Sequence, residues 1–369
     1  MNQLFRWDQT GLFLLALAAG ILPFAVPEVC AAALQEGLTL CSGPLLLSLF
    51  PFLVVSRLLV QCPESDLLAL PFRLAAWGIG IRTPCAARVL CIGFLGGFAP
   101  AASAAAQAVR TGQLTAEEAD ALLPACICSG PSFVVLTVGQ SLLGSAELGV
   151  LLFASQITAN YLTAALLNRF AGVRSVKPGS AAQASPAPPR LDEILADAAI
   201  TYCKLCGFIL FFRMLAAGAG ALLPAGAGTL CAILLEVCSG CDLASRTGRW
   251  GSLLCCAALS VQGLSVLLQV RTICPPEMTL RPLYRARMLH LPLSLALFYL
   301  LLPGGEADVF STLPARVLLM RRVPPDCALL VFAVCCMAAC TLRSGIRQVE
   351  QKQMARNAGG CCINSKTLL

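Results

Sequence analysis

Long apolar runs alternate with short basic loops along most of this chain. The pattern predicts helices crossing a bilayer at 11–33, 45–60, 124–143, 148–167, 198–217, 250–270, 288–302 and 327–342. Most of these reach the roughly 17–25 residues that a helix needs to cross a hydrocarbon core. Two further apolar stretches, 88–109 and 225–245, are interrupted. The first contains Gly96-Gly97-Phe98-Ala99-Pro100 and the second Glu236-Val237-Cys238-Ser239-Gly240-Cys241-Asp242. A continuous membrane helix rarely takes such residues together, because glycine and proline loosen the backbone and an acid is costly at membrane depth.

The interruptions recur in matching places. Each follows an apolar segment with one arginine, Arg57 in the first half and Arg213 in the second. Each precedes a Gly-x-Ser step, Gly130-Pro131-Ser132 and Gly263-Leu264-Ser265. Paired, broken hydrophobic segments at corresponding positions point to a solute site between two repeats. The candidate substrate-binding residues are therefore Gly96, Gly97, Pro100, Ser129, Gly130, Ser132, Glu236, Gly240, Asp242 and Gly263. Arg57 and Arg213 are candidates for a structural or gating role, with snorkelling to headgroups as the simpler account of both.

Composition agrees with the pattern. Apolar residues make up 58% of the 369 and charged residues 12%, about half the roughly 25% of a soluble domain. The net charge of +7 sits in short loops, as membrane orientation requires, and nowhere interleaves with aromatics as a nucleic-acid groove would. The expected class is an all-α polytopic membrane protein of about eight transmembrane helices plus two re-entrant hairpins, with the lipid bilayer as its main partner.

The positive charges orient the chain. Arg73, Arg82 and Arg88; Arg169, Arg174, Lys177 and Arg190; Arg271, Arg281, Arg285 and Arg287; and Arg343, Arg347, Lys352 and Arg356 form four groups. All four can face the cytoplasm only if 88–109 and 225–245 each enter and leave the membrane on one side. Spans 45–60 and 198–217 then run in opposite directions, which makes the two halves an inverted repeat. Arg246, Arg249, Arg316, Arg321 and Arg322 run against this map, since it puts them outside. The expected organisation is an N-terminal membrane half (1–170), a flexible cytoplasmic linker rich in Ala, Ser and Pro (171–190), a C-terminal membrane half (191–342) and a cytoplasmic tail (343–369).

Little points to catalysis, cofactors or metal. The chain has one histidine, His290, and no His-Glu-x-x-His motif. Its 21 cysteines mostly lie in apolar runs, where Cys acts as a small hydrophobe. Cys203-x-x-Cys206 and Cys238-x-x-Cys241 each supply half of the about four ligands that a structural zinc needs. Glu236 and Asp242 raise ion or proton coupling, and Gln156 and Asn160, four apart on one helix face, suit interhelical hydrogen bonds.

The runs Gly93–Ser103, Gly112-Gln113-Leu114-Thr115-Ala116-Glu117-Glu118-Ala119-Asp120 and Cys126-Ile127-Cys128-Ser129-Gly130-Pro131-Ser132-Phe133 resemble the sporulation integral membrane protein YlbJ family. The resemblance extends from about the second span to residue 271. It implies nucleoside-recognition (Gate) segments related to the hairpin repeats of concentrative nucleoside transporters. It also implies a multi-pass protein in the cell membrane of an endospore-forming bacterium, acting in spore cortex assembly. Where the family usually reads Ser-Gly-Tyr-Pro, then small residues and Lys, this chain has Gly96–Pro100 and no nearby Lys. Where the family has Asn-Asn before Ser129, it has Ile127-Cys128. These departures remove hydrogen-bonding groups and imply a more apolar substrate than a nucleoside. The function expected from all this is transport of a small solute between two Gate-type hairpins. The alternative is a non-transporting scaffold that recruits partners during spore-envelope assembly.

Overall fold

The structure, a computed structural model, describes residues 9–61, 65–171 and 191–302. The predicted span 327–342, nearly all of the linker and the tail lie outside the described residues. Among the described residues every regular element is helical. Helices α1 (Gln9–Ala25), α2 (Pro27–Ser42) and α3 (Pro44–Gln61) lead, through the short α4 (Ser65–Leu68) and α5 (Leu70–Gly78), to α6 (Pro84–Gly96) and α7 (Phe98–Arg110). Next come α8 (Ala116–Cys126), a π-helical segment π1 (Ser132–Leu142) and α9 (Ala146–Ala171). The second half holds α10 (Leu191–Leu222), α11 (Ala225–Leu235), α12 (Val237–Ser245), α13 (Gly251–Val261), α14 (Gly263–Ile273) and α15 (Arg281–Leu301). Four helical runs, Pro27–Val60, Ala146–Ala171, Leu191–Leu222 and Gly248–Ile273, are long and apolar enough to cross a membrane.

Three predicted spans prove to be interrupted. The run 11–33 breaks at Val26, because Pro27 lacks an N–H and disfavours helical backbone in the residue before it; Val26 accordingly has φ −139° and ψ 63°. The run 124–143 breaks after Cys126, where Ile127 turns extended (φ −84°, ψ 97°) and Pro131 restarts the chain. The run 250–270 breaks at Gln262, which adopts a left-handed conformation (φ 65°) directly before Gly263 (φ 67°). Arg281, Arg285 and Arg287, expected in a loop, belong to α15.

The interrupted stretches 88–109 and 225–245 each form two helices that fold back on one another. A Cβ added at Gly93 would lie 3.2 Å from the Cβ of Ala101, four residues beyond the break at Gly97. One added at Gly240 would lie 2.8 Å from the Ile233 backbone, across the break at Glu236. Alanines at 101, 102, 104, 105, 106 and 108 are all buried, leaving α7 thin enough for its neighbours to approach closely. The order of elements therefore repeats: one long helix (α3, α10), a helix pair (α6/α7, α11/α12), a broken helix (α8–π1, α13–α14) and a closing helix (α9, α15).

Polar clamps set the register. Asn168 on α9 donates to Ala121 O (3.1 Å) and Ile79 O (2.9 Å), and Asn160 donates to Ile127 O (3.4 Å), so α9 runs antiparallel to α8–π1. Arg213 on α10 pairs with Glu36 on α2 at 2.7 Å, and the Tyr202 hydroxyl donates to Cys41 O, so α2 runs antiparallel to α10. The stretch Gly112–Asp120 has a physical reason here. Thr115 caps α8 in a reciprocal box with Glu118. Asp120 accepts from Thr279 N (2.8 Å), Thr279 Oγ1 (2.7 Å) and Leu280 N (3.1 Å), tying the first half to the second.

Asp120→Ala strips that loop of a charged acceptor and should lower stability by about 3 kcal/mol. Glu117→Ala, at an exposed position on the same helix, should change it by no more than about 0.5 kcal/mol. Thermal unfolding of the two variants in one detergent checks both values.

Candidate functional site

The two helix pairs present their breaks to the two broken helices. Gly97 has φ 80° and ψ −163°, a region open essentially only to glycine. A Cβ there would meet Gly130 N at 2.7 Å. In the second half the contact is equivalent: a Cβ at Gly263 would meet Leu235 and Glu236 backbone atoms at 3.0 Å. Each pair thus seats its tip, backbone against backbone, on the break of the next helix. The breaks also meet each other, since Gln262 Nε2 donates to Ser129 Oγ at 3.3 Å and to Leu259 O at 2.6 Å.

A cleft of about 60 Å³ opens where these parts converge. Gly96 and Phe98 line it from the first tip, Ser129, Gly130, Ser132 and Phe133 from the first broken helix, and Glu236, Val237 and Cys238 from the second tip. Val266 and Gln269 of α14, Leu45 and Leu49 of α3, Leu95 of α6 and Ile209 of α10 complete it. Neither α7, which starts after Gly97, nor π1, which starts after Pro131, has a side-chain cap. Both helices begin at the cleft, with Phe98 and Ser132 in its lining, so uncapped first-turn amides and the positive end of a helix dipole lie beside it. Gln269 is buried, donates to Ser265 Oγ at 3.0 Å and leaves its Oε1 without a partner.

Of the residues expected at the site, Gly96, Ser129, Gly130, Ser132 and Glu236 line this cleft. Gly97 and Gly263 form the backbone contacts behind it, and Pro100 packs on Gly96. Gly240 lies within the α11/α12 interface. Asp242 stands apart from the cleft lining, paired with Arg246 one turn along α12 at 2.8 Å. Glu236 caps α12, accepting from Cys238 N (2.8 Å), Ser239 N (2.7 Å) and Ser239 Oγ (2.8 Å). Its carboxylate is held by helix amides, as at an ordinary acidic N-cap.

Both candidate arginines are bonded across helices. Arg57 joins three helices, reaching Ser103 Oγ of α7 (3.3 Å) and, on α10, Thr201 Oγ1 (3.5 Å) and Asp197. Arg213 is bonded to Glu36 on one side and lies within electrostatic reach of Glu236 on the other. Among the described residues no three His, Cys, Asp or Glu side chains converge as metal ligands.

Gln262, Gln269, Phe98, Phe133 and Arg287 were not singled out as site residues from the sequence. The two glutamines carried the clearest signal, as amides inside an apolar run. Arg287 is buried in α15, where it donates to Ile127 O, the C-cap carbonyl of α8, and to Ser260 O (3.3 Å), near the end of α13. It therefore sits between the negative ends of the two interrupted helices. One turn further on, His290 donates to Gln156 O at 3.2 Å, while Gln156 reaches Ser260 Oγ (3.0 Å) and Cys256 O (3.3 Å) on α13.

Comparison with protein-family models, with curated proteins and with solved structures finds no match for this chain.

Arg287→Met should leave Ser260 O without its side-chain donor and Ile127 O with only the long bond from Asn160, at about 1–3 kcal/mol in all. Arg287→Lys keeps the charge but lacks the planar fork that spans both acceptors. It should recover less than half of the lost thermal stability; full recovery would show that charge alone matters.

Proposed function

We propose that this is a membrane transport protein that moves a small solute through the cleft between its two helix-pair tips. The observation that carries the reading is the convergence of both tips on both helix breaks, with two uncapped helix starts beside one cleft. Discontinuous helices meeting at a repeat interface are the usual way a transporter builds a polar site inside a bilayer. On this reading the α6/α7 and α11/α12 pairs are re-entrant hairpins, and the halves are inverted relative to each other, as the charge map requires.

The lining sets the solute class. Phe98 and Phe133 offer flat apolar faces, while Ser129, Ser132, Gln269 and the helix amides offer a few hydrogen bonds. A small, largely apolar solute with one hydrogen-bonding edge suits this surface, and simple nucleosides serve as the more polar comparison in the same assay. Glu236 is engaged as a cap, and Arg287 supplies the positive charge at the helix ends where other transporters hold a cation. Transport without sodium follows from this arrangement. The resemblance to the YlbJ family supports a setting in the cell membrane of an endospore-forming bacterium and a part in cortex assembly.

One observation favours the second reading, a scaffold that keeps the fold without carrying solute. The cleft's 60 Å³ is well below the roughly 300–1,000 Å³ of small-molecule sites. Transport therefore requires the tips to part.

Gly130→Ala and Gln269→Met separate the readings. A Cβ at Gly130 would meet only ordinary contacts, at 3.5 Å or more, and Met conserves the volume of Gln269. Both variants should insert and melt like the parent. Solute uptake into vesicles of purified protein should fall at least about tenfold, matching the loss of one or two site contacts. Sporulation should fail in parallel. Normal sporulation by both variants would leave the scaffold as the better account.

A further inference from the structure

A second cleft, of about 130 Å³, lies away from the tips, between α3, α7, α10 and α14. Its lining is polar and basic: Arg57, Ser103, Arg110, Asp197, Thr201, Lys204 and Thr272, closed by Ala106, Ile200 and Ile273. The single acid, Asp197, is already bonded to Arg57. Arg110 and Lys204 are exposed, and among the described residues neither has an acidic partner. The lining thus carries two uncompensated positive charges. Thr201 and Thr272 already donate their hydroxyls to Asp197 O and Gln269 O, each at 2.8 Å, while Ser103 Oγ accepts from Arg57 and keeps its own proton to donate.

The cleft's place along the chain adds a constraint. Arg110 ends α7, Thr272 and Ile273 end α14, and Asp197 to Lys204 lie in the second to fourth turns of α10, after the basic linker. By the charge map all three ends face the cytoplasm, at headgroup depth, where anionic groups concentrate. Three cations and the Ser103 hydroxyl, from three helices around a cavity of this size, match a phosphate group, whose oxygens accept several charge-assisted bonds at once.

We propose that this cleft binds a phosphate group, either the diester of an anionic phospholipid or a free phosphate from the cytoplasm. The site is separate from the proposed solute cleft and stands whether or not that cleft carries solute. Arg57 forms its floor, already oriented by Asp197 and Ser103. Arg110 and Lys204 close over the anion from opposite helices.

The full-length protein is purified and placed in nanodiscs of phosphatidylcholine alone or with phosphatidylglycerol, each with and without added inorganic phosphate. Melting temperature and lipid retained in native mass spectrometry are recorded. Two variants are compared with the parent: Arg110→Gln/Lys204→Gln, in the cleft, and Arg169→Gln/Arg285→Gln, which removes the same charge at exposed positions elsewhere. Stabilisation of the parent by phosphatidylglycerol and not by phosphate assigns the cleft to lipid; stabilisation by phosphate in pure phosphatidylcholine assigns it to the free anion. In either case the cleft variant should lose at least about three-quarters of the effect and the control variant less than a quarter. No stabilisation of the parent by either source overturns the proposal. Equal losses in the two variants also overturn it, since general attraction of basic residues to an anionic surface would then account for the effect.

Discussion

A helix that breaks inside apolar surroundings frees peptide groups that lipid cannot satisfy, and the whole arrangement follows from that constraint. Among the described residues four breaks come together: at Gly97, at Ile127–Gly130, at Glu236 and at Gln262. No break is left to itself. Gly97 lies on Gly130, Glu236 lies on Gly263, and Gln262 reaches Ser129. The freed carbonyls of α8 and α13 are collected by Arg287. The long helices α9 and α15 hold these centres in place through the Asn160 amide and the Arg287 guanidinium, not through apolar packing alone.

The two halves solve the same problem with different chemistry. The first tip has glycine where the second has Glu236, so α7 starts uncapped while α12 is capped by its own carboxylate. That difference makes the centre electrostatically lopsided, with open helix amides on one side and a filled cap on the other. A polar edge of a solute would find donors at the first tip and at π1. Among the described residues Gln262 is the one residue other than glycine that holds a left-handed conformation at these breaks. Such conformations cost about 1–3 kcal/mol and persist where the surroundings fix them. Here the hydrogen bonds to Ser129 and Leu259 do so.

Much of this was legible in the sequence. The paired interruptions at 96–100 and 236–242 located both tips, because glycine, proline and an acid stand out in an apolar run. The Gly130-Pro131-Ser132 step stands out in the same way, and Ser129, Gly130 and Ser132 line the cleft. The breaks within 124–143 and 250–270 were hidden because their flanks are apolar enough to read through, and only Pro131 and Gly263 marked them. Asp242 was grouped with Glu236 because both flank the same short motif. Six residues along a helix, however, put it on a different face and nearer the end, where Arg246 pairs with it. Charge alone places Arg287 in a loop at a membrane surface. Its two carbonyl partners come from residues 27 and 160 positions away, a relation no local pattern carries.

The central claim is that the breaks of the two halves meet. Cysteines introduced at Ser129 and Gln262, in a chain whose native thiols have been replaced, test it most directly when treated in native membranes with a short bifunctional thiol reagent. The account predicts efficient intramolecular cross-linking of this pair and none between cysteines at Ser129 and the exposed Trp250. Absence of a cross-link between positions 129 and 262, with both thiols shown to react singly, would contradict it.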